Sequence, residues 1–337
     1  AVEVILNRGI YYVYIGEMTM KYDSAGLPKG AWLLLLVALF AVSSAGAVLQ
    51  SMSEIPPILR ASWRMQGTAL ILLPGFIFQL SSLDRNLFSS KDAVIILLSS
   101  FFLAAHFGSW VWSLDHTSLV HSLLFVTSHP LVVVLLMPIL GSKIRRGHVI
   151  GASVGFFGAA LTLKDIDADG EVTLIGNFFA FIGAVTVVGY LFAGRYLRSE
   201  RNMPLFIYAF PVTFLSALWL TPASIIIEGA SFSQTLPELG VFGWFDLSWI
   251  FWVGYLSLGP GLLGHTGINA VLRWFPPLIV SIALLFEPVI GGVIGWFLTG
   301  DISLGIWTVI GGCLMLVGAM MVKFEEANEQ TIDESPS

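Results

Sequence analysis

The sequence predicts an all-α polytopic membrane protein, with ten transmembrane helices arranged as two inverted five-helix repeats. Three observations carry this prediction. The first is composition: 56% of the 337 residues belong to the set AVILMFWYC and only 11% are charged, where a soluble domain carries roughly 25% charged residues. Sixteen basic and 22 acidic side chains cannot coat a soluble particle of this size, which excludes an ordinary cytosolic enzyme, a nucleic-acid binder and a disordered protein. The second is pattern: the apolar residues form unbroken runs of about 20, the length of a helix that crosses the hydrocarbon core. They do not alternate over ten-residue segments as in an outer-membrane barrel. Helices satisfy their own backbone groups in lipid, so a bundle follows. The third is an internal resemblance between the two halves of the chain.

The runs lie at about 31–52, 56–80, 93–114, 118–140, 147–163, 174–194, 204–227, 247–271, 275–298 and 304–322. Turn residues such as Pro56-Pro57, Gly141-Ser142 and Pro276-Pro277 separate several of them. Two longer connections stand out: 164–173, which is acidic, and 228–246, which holds Trp244 and Asp246. Residues 1–30 read as an N-terminal tail, because the apolar stretch Ile10 to Ile15 is too short to span and no signal-peptide layout is present. A chain starting at Ala is expected to be a processed or truncated product. The segment 324–337 carries five acidic residues and reads as a disordered tail.

Lysine and arginine set the orientation. With the N-terminus in the cytoplasm, thirteen of the sixteen basic residues fall on the inside, Lys164 alone falls outside, and Arg60 and Arg64 lie within the second helix. An even number of helices then returns the C-terminus to the cytoplasm.

The repeat shows as three anchors with nearly the same offset. His106-Phe-Gly108 matches His265-Thr-Gly267, Ser128-His129-Pro130 matches Phe286-Glu287-Pro288, and Ile150-Gly151 with Gly158 matches Ile310-Gly311 with Gly318. Five helices per copy turn the second copy upside down in the membrane, and inverted repeats around a midplane site characterise secondary carriers.

These residues resemble the drug/metabolite transporter superfamily and, within it, the ten-helix EamA-type carriers. The similarity rests on Pro57-Ile-Leu-Arg60-Ala-Ser-Trp-Arg64, on Thr127-Ser128-His129-Pro130 and Leu285-Phe286-Glu287-Pro288, and on the glycine pairs 151/158 and 311/318. The resemblance implies one EamA-like repeat at 31–163 and a second at 164–323, and efflux of amino acids or related metabolites. His129, where the family more often has a small residue, is a departure from its pattern.

Ionisable groups at membrane depth are costly and therefore candidates for function. His106 shares a helix face with Ser109, Trp110 and Ser113, and His265, its repeat mate, stands one turn before Asn269. A symmetric histidine pair forms a polar midplane patch able to bind substrate or a proton; the plainer reading is a pair of interhelical hydrogen bonds. Glu287 precedes Pro288 deep in helix nine, next to a carbonyl that the proline frees. The expected substrate-binding residues are thus His106, Trp110, His265, Asn269, Glu287 and Arg60, with His106, His265 and Glu287 as proton-coupling candidates. Arg60 is read as the deeper residue, facing an anionic group, and Arg64 as snorkelling to the headgroups. Gly259-Pro260-Gly261 interrupts helix eight before His265, and Tyr190 and Tyr208 are among the aromatics available to line a cavity.

One cysteine, Cys313, excludes an intrachain disulfide. No Walker loop, GxSxG or HExxH occurs, so no cofactor, metal or enzymatic activity is expected. The expected function is secondary transport of small organic metabolites by alternating access. The expected partners are a small-molecule substrate and the lipid bilayer, with a homodimer also considered and no nucleic acid. The plasma membrane is the expected location and an organellar membrane the alternative. Two rival readings stand beside this one. A nucleotide-sugar or phosphate-ester exchanger needs several inward basic residues, where the chain offers mainly Arg60, Arg64 and Arg273. An intramembrane acyl or lipid transferase has no need of the repeat.

Overall fold

The computed structural model describes residues 2–7, 10–15, 18–23, 30–82, 88–138, 143–165, 172–233, 235–271, 275, 277–299 and 305–333. Among the described residues each of the ten apolar runs contains helix. α1 spans Ala31–Gln50, α2 Pro57–Ser81 and α3 Ser90–Leu114. The fourth run is two short helices, α4 Leu119–Val126 and α5 His129–Leu136, broken just before His129-Pro130. α6 spans Arg146–Thr162, α7 Leu174–Arg195 and α8 Leu205–Glu228. The eighth run begins with α9 Ile250–Leu256, widens into a π-helical stretch Ser257–Thr266 and ends as α10 Gly267–Val271. Then come α11 Pro277–Leu284, α12 Glu287–Thr299 and α13 Ile306–Asp333. Six segments among the described residues are long and apolar enough to cross a membrane: 31–50, 90–114, 119–136, 174–198, 205–228 and 306–325. The chain is an integral, multi-pass membrane protein.

Two terminal segments differ from the sequence reading. The N-terminal tail contains an antiparallel meander of β1 Val2–Asn7, β2 Ile10–Ile15 and β3 Met18–Asp23, with Val4 opposite Val13 and Val13 opposite Met20. Its Val, Ile and Tyr residues favour extended chain, and the stretch too short to span a membrane is long enough for a strand. At the other end α13 continues to Asp333, through the segment read as disordered. Glu, Gln and Ala are good helix formers, and no Gly or Pro interrupts them before Pro336.

Local chemistry sets the helix ends. Ser89 and Asp92 form a capping box at the start of α3, and Arg201 donates to both oxygens of Asp92 at 3.1 Å. That carboxylate raises the exposed Arg201 guanidinium above its ordinary pKa. Thr173 caps α7 by accepting from Gly176 N at 3.0 Å. Gly229, at φ 73°, ends α8 in the left-handed conformation that glycine adopts without strain.

The helices pair in a definite pattern: α2 with α8, α6 with α13, α3 with α7 and α8, α1 with α12 and the π-helical stretch, and α4 with α7 and α12. Glycine explains the closeness of the α6–α13 crossing. A Cβ on Gly158 would lie 2.5 Å from Gly311 O, and one on Gly151 would lie 2.8 Å from Gly318 O. Small residues of this kind let membrane helices approach backbone to backbone.

A buried polar chain ties α4, α7 and α13 together. Thr117 Oγ1 donates to Asn177 Oδ1 at 2.8 Å, and Asn177 Nδ2 faces His121 Nδ1 at 3.2 Å. His121 Nε2 faces Thr308 Oγ1 at 2.7 Å, and that hydroxyl donates to Asp165 Oδ2 at 2.7 Å. Asp165 also accepts from Thr308 N at the start of α13.

Candidate functional site

The site is a cavity between α2, α3, α7, α8 and the π-helical stretch, with about 490 Å³ of empty space including its open side. Its walls hold Arg64, Thr68 and Leu72 of α2, Leu103 and Phe107 of α3, Tyr190 of α7, Tyr208, Val212 and Thr213 of α8, and Gly261, His265 and Thr266 of the π-helical stretch. Widened helix of this kind is common at functional sites. Here Gly259-Pro260-Gly261 puts Gly261 and His265 on the wall.

Phe107 is the centre of the arrangement. The Arg64 guanidinium lies over its ring at 4.3 Å, the His106 ring centroid is 4.9 Å away, and the His265 centroid is 6.0 Å away. The two histidines matched in the sequence repeat thus flank one aromatic ring. His106 donates from Nδ1 to Gly183 O at 2.9 Å, because a carbonyl only accepts. In a neutral ring Nε2 is then the acceptor. Trp110 is buried, stacks on His106 at 6.1 Å and lies 5.9 Å from Arg64. Glu287, half-buried at the start of α12, is the carboxylate whose charge acts on Arg64. The side chain of Asn269 lies outside the described residues.

The two arginines of α2 reverse their expected parts. Arg60 does not line the cavity: fully buried, it pairs with Asp115 Oδ2 at 2.5 Å and donates to Leu49 O at 2.6 Å. Arg64 does not snorkel. It is 1% exposed and forms part of the cavity wall, and its Nε and Nη1 have no hydrogen-bond partner among the described residues. Spacing at i, i+4 shares a face between the two but cannot reveal Asp115, which is 55 residues away in sequence. Phe107, Thr68 and Thr213 are cavity residues that sequence reasoning missed, since nothing separates them from ordinary packing residues. Tyr190 and Tyr208 line the wall as the sequence reading allowed, with ring centroids 6.3 Å apart and Tyr208 hydroxyl 2.8 Å from Ser99 Oγ.

At the end where α2 begins, its residues are tied to α8 and to the segment that follows it. Glu228 accepts from Ile58 N and Leu59 N at 2.7 and 2.8 Å, a carboxylate at a helix N-terminus. The segment 229–249 folds over the same end. Trp63 Nε1 donates to Gly240 O at 3.0 Å, Trp244 Nε1 to Gln66 Oε1 at 2.7 Å and Trp249 Nε1 to Glu238 Oε1 at 3.1 Å. At the Tyr190 and Tyr208 end, Gln79 Oε1 of α2 accepts from Phe206 N at the start of α8 at 2.8 Å, and Phe76 stacks on Phe210 at 4.6 Å.

Residues 28–164 match the model of the EamA-like transporter family, a match that is consistent with the drug/metabolite transporter superfamily and suggests a membrane transporter. A solved structure titled only "Crystal structure of protein" shares the fold, with 18% identity and a TM-score of 0.57 over 92% of this chain and 100% of that one. No curated protein matches the chain in sequence.

Proposed function

We propose that the chain is a secondary transporter that moves small organic metabolites, amino acids or related compounds, by alternating access of two inverted five-helix repeats. The observation that carries the reading is the cavity walled by both halves of the chain, and the bonds that tie the start of α2 to Glu228 and to the segment after α8 are read as a seal at that end. The helix pairs support the repeat. Exchanging α1 with α7, α2 with α8, α3 with the run 250–271, α4–α5 with α11–α12 and α6 with α13 turns α3–α7 into α1 with the π-helical stretch. The same exchange turns α1–α12 into α7–α5, and α2–α8 and α6–α13 into themselves. Such two-fold exchange is what two-sided access to a midplane site requires.

With both termini cytoplasmic, the sealed end faces outward and the Tyr190–Tyr208 end faces the cytoplasm. The proposed substrate-binding residues are His265, on the cavity wall, with His106, Trp110, Asn269 and Glu287, which are not among its described lining residues; His106, His265 and Glu287 are the proposed carriers of a coupled proton. Arg60 passes from the substrate set to the outer seal, with Asp115.

Counterflow in proteoliposomes tests this. Vesicles are preloaded with a mixed metabolite extract, isotope-labelled extract is added outside, and mass spectrometry reads what enters. The reading expects a few compounds to be enriched, with loss in His106→Ala or Glu287→Gln. No exchange above empty vesicles, with folded protein at several pH values, contradicts it.

A further inference from the structure

We infer that the cavity binds a small organic monocarboxylate, whose carboxylate is held by Arg64 and whose apolar or aromatic body lies against Phe107, Leu72 and Val212; this rests on the transporter reading above. Arg64 is almost wholly buried, forms part of the cavity wall and has its Nε and Nη1 without a hydrogen-bond partner among the described residues. Buried donors are costly when unpaired, and a guanidinium is the donor set that fits a carboxylate in two parallel bonds. Arg60, one turn away, serves as an internal comparison: Leu49 O and Asp115 take its Nη1 and Nη2, and among the described residues its Nε alone has no hydrogen-bond partner.

The wall sets the charge of the ligand. Among the described residues none on the wall is acidic, and Arg64 and His265 are its only cationic or basic groups. The Arg64 guanidinium carbon lies 4.3 Å from the centroid of the Phe107 ring, a cation–π contact. Arg64 is thus the one fixed positive charge among the described wall residues. One carboxylate suits that balance. A phosphate dianion or a nucleotide diphosphate would bring excess negative charge into a low-dielectric interior.

The test measures binding separately from transport. Purified full-length protein is titrated with radiolabelled phenylacetate and, in parallel, radiolabelled phenylalanine. Phenylacetamide, phenethylamine and phenyl phosphate serve as competitors. The inference expects saturable binding of at least one carboxylate probe, no competition by the amide or the amine, and phenyl phosphate weaker than the acid. Preference for phenylalanine assigns an amino acid, and preference for phenylacetate a simple carboxylic acid. Arg64→Gln is expected to weaken binding roughly 10- to 100-fold, the loss of charge-assisted hydrogen bonds. Arg64→Lys, which keeps the charge and loses the fork, is expected to fall between, and it carries the test if Arg64→Gln does not fold. Equal competition by the amide, tighter binding of phenyl phosphate, unchanged affinity in Arg64→Gln, or no saturable carboxylate binding to folded protein overturns the inference. Counterflow on the same preparations separates the two readings. Exchange of other solutes without carboxylate binding overturns the inference alone, whereas carboxylate binding without any exchange overturns the transporter reading alone.

Discussion

The Arg60–Asp115 pair makes an asymmetric prediction. The Arg60 side chain is 0% exposed and that of Asp115 19% exposed, with 2.5 Å between Nη2 and Oδ2. Asp115→Asn leaves a buried guanidinium with only a neutral amide and Leu49 O for company. Breaking a buried pair in this way costs about 3–5 kcal/mol. Arg60→Met leaves the carboxylate instead, and its partial exposure lets water recover part of the loss, so about 1–3 kcal/mol is expected. Replacing both partners is close to neutral for buried pairs, about 0–2 kcal/mol, with Leu49 O the remaining orphan. The double variant is therefore more stable than Asp115→Asn alone, with a coupling of at least about 2 kcal/mol. Unfolding by SDS in mixed micelles, followed by tryptophan fluorescence, gives all four corners of the cycle. Additive losses, or Asp115→Asn no worse than Arg60→Met, would refute the reasoning.

Three further outcomes follow from the same structure. Gly158→Leu forces side-chain atoms against Gly311 O and costs at least about 1–3 kcal/mol; the same unfolding assay checks it, and Gly158→Leu with Gly311→Leu should lose less than the sum, because both separate one crossing. Thr308→Val removes the shared partner of His121 and Asp165, with a loss of about 1–3 kcal/mol, measured in the same way; a neutral result would mean that the chain of bonds adds nothing. Glu228→Gln weakens the cap on α2, with a loss of about 0.5–2 kcal/mol and faster hydrogen exchange at Ile58 and Leu59 than elsewhere in α2.

The helices were legible because lipid imposes a long apolar run on every span, and α1, α3 and α7 begin or end within a few residues of the runs read. The glycine-proline interruption before His265 was legible too, since a proline ring cannot sit in regular helix without consequence. The terminal segments were not: β2 and the end of α13 depend on local propensity, which a membrane-scale hydropathy reading overlooks. The site was half legible. His106 and His265 showed through the repeat and meet at Phe107. Which arginine faces the cavity did not show, because the answer lies with Asp115 and Leu49 O, contacts that spacing along one helix does not encode. The weight of segment 229–249 was equally hidden, since its tryptophans act by reaching back to Gln66 and α2.

Two-sided access to the cavity is the central claim, and cysteine labelling tests it most directly. The lone Cys313, which is exposed, is changed to Ser, and Thr213→Cys places a nearly isosteric thiol on the cavity wall. A membrane-impermeant thiol reagent is then applied to right-side-out and to inverted vesicles. The account predicts labelling from both sides: faster from the Tyr190–Tyr208 side, and accelerated from the opposite side when Asp115→Asn loosens the seal. Labelling from one side only, unchanged by Asp115→Asn, would contradict it.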